Sequence, residues 1–152
     1  MATIQSISNL IKSIDNQFIA NVCNNQMFYM NENIENLINI YNNNSDSRID
    51  IVDMVSLCNE LLFSYLIKNN KELCNTIHSF TQAYNFVMLT NITSFWILYK
   101  FITNDNWISM DVMETYMPYT SNEIKKKELD ILKTIDYNIY PFFMKLNIVI
   151  DE

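Results

Sequence analysis

Apolar residues recur at helical spacing along most of the chain. Ile4, Ile7, Ile11 and Ile14, then Phe18 and Ile19, fall three to four apart and predict a helix over 3–23. Polar Asn24, Asn25 and Gln26 predict its end. Ile34, Leu37, Ile38 and Tyr41 predict a second, short helix over 33–41, and the polar stretch Asn42 to Asp46 reads as a linker. From Arg48 the pattern becomes dense. Ile51, Met54, Val55, Cys58, Leu61, Leu62 and Tyr65 form a long amphipathic stripe over 48–67. Asn69 and Asn70 break it, and Leu73, Ile77, Phe80 and Tyr84 predict a helix over 71–87. Residues 91–103 are apolar almost all round, with Asn91 as the expected N-cap. A helix apolar on every side belongs at the centre of its domain. Asn104 to Asn106 ends it. A short helix over 109–116 stops before Pro118. Thr120 and Glu123 then have the spacing of a capping box, opening a helix that runs to about Asp136. The stretch from Tyr140 to Glu152 is apolar and has no assignable period.

Composition supports an all-α fold. The 152 residues contain no glycine and two prolines, Pro118 and Pro141. Sandwiches, barrels, dinucleotide folds and phosphate loops rely on glycine for tight turns and close backbone approach. With 49% hydrophobic and 18% charged residues, the chain can bury a core of its own. The sequence divides into an N-terminal helical extension (1–47), a dense helical domain (48–141) and a tail (142–152).

Charge and chemistry narrow the function. A net charge of −7 suits neither nucleic acid nor an anionic membrane. No basic-then-apolar leader opens the chain, and no apolar run reaches the length of about 18 that a span requires. Cys23, Cys58 and Cys74 have no zinc or disulfide spacing, which predicts reduced thiols in an intracellular protein of the cytoplasm or nucleus. His78 is the single histidine and has no ligand-type neighbour three or four residues away. No catalytic constellation, metal site, cofactor or small-molecule ligand is expected. The function should lie in a surface that binds another protein. The chain has 23 Asn and 22 Ile, both with A/T-rich codons, as in the AT-rich genomes of some viruses and protists.

Two charges interrupt apolar faces. Lys100 falls between Tyr99 and Phe101 in the most apolar helix. Glu128 lies four after Ile124 and three before Ile131, inside the stripe that Ile124, Ile131 and Ile135 define. A lone buried charge costs several kcal/mol, so the simplest expectation is that the two meet across a helix interface or satisfy polar groups of a partner. The run Lys125–Lys127 reads as a solvated face.

These positions resemble the lysine and glutamate of the cyclin box. The segment from Lys127 to Pro141, KELDILKTIDYNIYP, resembles the cyclin pattern of a glutamate, a leucine four on, and an apolar-Asp-aromatic-polar-apolar ending. Arg48 to Val55, RIDIVDMV, resembles the start of the first box helix, and five helices are expected between about 48 and 137. The resemblance covers one box, 48–141. Phe80-Thr81-Gln82 stands where cyclins carry tyrosine-aspartate-arginine. The resemblance implies a cyclin-like protein, possibly viral, that binds a cyclin-dependent kinase, and a host kinase if the source is a virus. Lys100 and Glu128 would pair at the contact, and Phe101, Leu132 and Ile139 would surround them. Some cyclins also dock substrate peptides on the first box helix, which would place Ile51 and Met54 in a groove; ordinary core packing is the competing reading. Outside this resemblance, the alternative is a different all-helical interaction protein, such as a viral death-pathway adaptor holding a partner helix in a groove.

Overall fold

The computed structural model describes residues 4–103, 108–139 and 150–151, with backbone only for 4–7 and 150–151. It is all-α. The described residues form seven helices: α1 (Ile4–Lys12), α2 (Gln17–Asn44), α3 (Ile51–Lys68), α4 (Asn70–Thr76), α5 (Phe80–Ile102), α6 (Met110–Tyr116) and α7 (Ser121–Thr134). A two-residue antiparallel ladder joins β1 (Arg48–Ile49) to β2 (Ile150–Asp151). The expected helix end at Asn104 to Asn106, the side chains of Ile4 and Ile7, and most of the tail lie outside the described residues.

Side-chain caps open five of the described helices, and a polar cluster does not by itself break one. Asn24 and Asn25 sit on the exposed face inside α2, which runs unbroken through the expected gap. Asparagine in a helix interior costs only a few tenths of a kcal/mol, and Asn25 bonds back to the Asn21 carbonyl at 3.0 Å. The real break lies earlier. Asn16 accepts from the backbone amides of Phe18 and Ile19, capping α2. Its amide nitrogen donates to the carbonyls of Leu73 and Ile77, at 2.9 and 3.0 Å. One asparagine thus starts a helix and ties the α1–α2 corner to the end of α4.

The central helix also differs from expectation. The predicted helices over 71–87 and 91–103 divide instead at Ile77–Ser79. The Ser79 hydroxyl caps α5 by accepting from Gln82, and α5 then runs 23 residues without a breaker. Asn91 is therefore no N-cap. It is fully buried in mid-helix, and its amide donates to the Asn31 carboxamide oxygen of α2. The capping box at Thr120 and Glu123 is formed in full.

One core unites these helices. The longest packing surface is α2 against α5, followed by α3 and then α7 against α5. Ile34, Leu37, Met54, Leu61, Phe95 and Leu98 are fully or almost fully enclosed in it. The N-terminal extension belongs to this core: Ile11 and Ile14 are buried beside the residues of α2. Asn42 holds the following chain in place, with its carboxamide bonding both the N–H and the C=O of Ile49 at 2.8 and 3.0 Å. No described helix is long and apolar enough to cross a membrane.

Candidate functional site

Lys100 lies in the last turn of α5, where a cation complements the helix dipole. Its ammonium stands 5.2 Å from the centre of the Trp96 ring, one turn earlier. Glu128 is in the middle of α7, and its carboxylate receives a charge-assisted hydrogen bond from Lys100. The two charges do meet across the α5–α7 interface. They are not deeply buried, however: the Lys100 side chain is 41% exposed and that of Glu128 18%. The long lysine stem lies along the aromatic surface while its head remains in contact with water.

The other residues expected at this contact are open in graded fashion. Phe101 is 46% exposed, next to Lys100. Leu132, one turn beyond Glu128, and Ile139 are half-buried and pack against the core edge. A specific helix stop brings Ile139 back. The amide of Tyr137 donates to the Leu132 carbonyl at 2.7 Å, and that of Asp136 to Lys133 at 3.0 Å, which together form a Schellman motif. Asp136 and Tyr137 both have positive φ, 55° and 58°. A chain without glycine makes this turn with residues that carry a Cβ, at a cost of about 1–2 kcal/mol each. The exposed Tyr137 is carried outward by the same turn.

The suggested substrate-docking residues divide. Met54 is fully enclosed in the core, so it offers no surface to a peptide. Ile51 is half-buried and lines a cavity of about 340 Å³ with Asn42, Arg48, Ile49, Asp50 and Val52. Among the described residues no group of three or more His, Cys, Asp or Glu could hold a metal ion. Cys23 and Cys58 are buried free thiols, and burial pushes Cys23 up to about 12. His78 is satisfied locally, with Nε2 2.8 Å from the Asn75 carbonyl oxygen.

The basic run contains a correction. Lys125 and Lys126 are exposed, but Lys127 is only 8% exposed. Its ammonium lies 3.6 Å from the ring centre of Phe86 and 4.8 Å from that of Tyr65. It donates to the Tyr65 hydroxyl at 3.2 Å, and Asp130 lies 3.7 Å away. The Tyr65 hydroxyl in turn donates to Asp130 at 2.5 Å. Burial brings the Lys127 ammonium down to about 8, against the opposing pull of Asp130 and Glu72. Burial likewise raises Tyr65, with the Asp130 carboxylate adding to the effect. A signal for this was present in the sequence. Lys127 lies three after Ile124 and four before Ile131, the mirror image of the Glu128 spacing. One flank of the stripe faces α3 and the start of α5; the other faces the end of α5.

No family model, no curated protein and no solved structure matches this chain.

Proposed function

We propose that this chain is a cyclin-like regulatory protein that binds a cyclin-dependent kinase through the end of α5 and the outer face of α7. In this reading it performs no chemistry. It holds the kinase C-helix so that the kinase's own Lys–Glu pair can form, and so activates the enzyme. The observation that supports the reading is the Lys100–Glu128 pair. Two charges 28 residues apart, both in the cyclin-like motifs, meet at the α5–α7 junction and remain partly open, with Phe101 and Leu132 beside them. In the free protein such a pair contributes at most about 1 kcal/mol. Covered by a partner, it loses water and its remaining hydrogen-bond capacity turns to the partner's backbone. Removing either charge then strands the other, at roughly 3–5 kcal/mol. That corresponds to about two to four orders of magnitude in affinity. A kinase partner places the chain in the cytoplasm or nucleus.

The test is to express the chain with a tag and identify what co-purifies from an animal-cell lysate, beside Lys100→Ala and Glu128→Ala. The expected result is a cyclin-dependent kinase with the wild type and none with either variant, both variants having unchanged helical circular dichroism. A kinase retained by folded Glu128→Ala would contradict the proposal.

A further inference from the structure

Three helices converge on the Lys127 amine. Tyr65 of α3 and Phe86 of α5 stack with ring centres 5.9 Å apart, and the amine of α7 lies over both. Lys127 also lines a cavity of about 280 Å³ with Leu89, Glu123, Lys126 and Asp130. The amine, the Tyr65 hydroxyl and the Asp130 carboxylate form a continuous hydrogen-bonded line, 3.2 Å and then 2.5 Å. A proton leaving the nitrogen can pass to the Tyr65 oxygen as the phenolic proton passes to Asp130. This is the arrangement that activates a lysine as a nucleophile: a poorly solvated amine, a base reached through one hydroxyl, and room for a reagent.

We propose that Lys127 is an acyl-acceptor site, at which a small activated acyl group of the acyl-phosphate class is transferred to the amine within this cavity. The lone pair of the neutral nitrogen attacks the acyl carbon. The bond from that carbon to the phosphate oxygen breaks, and phosphate leaves with the electron pair. The nitrogen loses its extra proton through Tyr65 to Asp130, leaving a neutral amide. The titratable groups at the amine and its cavity are the neutral Tyr65 from α3, Glu72 from α4, and Glu123, Lys126 and Asp130 from α7; α5 contributes Phe86 and Leu89. Burial outweighs the acidic neighbours, so near neutral pH Lys127 has a far larger neutral fraction than an ordinary lysine. Conversion to an amide removes the charge from a site that disfavours it. The inference does not depend on the kinase reading.

The experiment treats the full chain with acetyl phosphate from pH 6.5 to 9 and measures acetylation of each lysine by peptide mass spectrometry. At pH 7.5 Lys127 is expected to react at least about ten-fold faster than Lys125 and Lys126. Its rate should level off above about pH 8, whereas theirs continue to rise. Tyr65→Phe, which keeps the ring and removes the hydroxyl, should slow Lys127 several-fold and leave its neighbours unchanged. In urea the advantage should disappear. A Lys127 that reacts no faster than its neighbours in the folded chain, or keeps its lead in urea, would overturn the proposal. An unchanged rate in folded Tyr65→Phe would overturn the relay.

Discussion

Lys100 and Lys127 stand on neighbouring helices, each over aromatic rings and each beside a carboxylate, yet they live in different solvents. Lys100 reaches the edge of the molecule, 41% exposed, and pairs with Glu128. Lys127 is enclosed between Tyr65 and Phe86. Water screens the first pair, so its contribution to the free fold is small. The second carries a desolvation cost that its neighbours only partly offset, as its lowered pKa shows. A charge flanked by isoleucines is therefore no guide to burial by itself. What decides is what its flank of the helix meets: the Tyr65 and Phe86 rings for Lys127, the last turn of α5 for Glu128.

The contrast can be broken hardest at Lys127. Lys127→Glu places a second carboxylate in the same enclosed site as Asp130 and should cost about 3–5 kcal/mol in urea unfolding. Lys127→Met keeps the stem and removes the charge, and it should stabilise the fold by about 1–3 kcal/mol at pH 7. A pH series sharpens this prediction. Between the lowered folded value of about 8 and the ordinary lysine value, the unfolded chain holds a proton that the folded chain has lost. Stability from this group therefore rises with pH over that window. The advantage of Lys127→Met over wild type should accordingly shrink by about 1 kcal/mol between pH 7 and pH 9. Comparing the two proteins cancels the buried cysteines, whose raised values act in the opposite direction above about pH 9. The smallest effect belongs to Lys100→Met, expected within about 1 kcal/mol of wild type in the free protein and falling further in 0.5 M salt.

Much of the fold was legible because it follows from period and capping. The stripes of α3 and α7, the short α6, and the Thr120–Glu123 box all appear close to where the pattern predicts them. The misplaced boundaries at Asn24–Asn25 and Asn91 share one cause: asparagine alone does not mark a helix end. Asn24 and Asn25 face solvent in mid-helix, and Asn91 is buried in mid-helix. Asn16 makes the cap and two cross-element bonds at the real break, and Asn70 adds two more to Ser13 and Asp15. Where a break rests on side-chain bonds across the fold, as at Asn16, it leaves no local trace in the sequence. The meeting of Lys100 with Glu128 was legible from the two interrupted stripes. The Lys127 cage was not, because Tyr65 and Phe86 reach it from 62 and 41 positions away.

The proposed partner-binding face at the α5–α7 junction is separate from the Lys127 cage. The direct measurement is the Kd of purified wild type, Glu128→Ala and Lys127→Met for a panel of monomeric cyclin-dependent kinases. Expected are tight binding of wild type to at least one of them, a loss of about two to four orders of magnitude for Glu128→Ala, and near wild-type binding for Lys127→Met. Equal binding by Glu128→Ala, or no binding of wild type to any kinase in the panel, would contradict the proposed face.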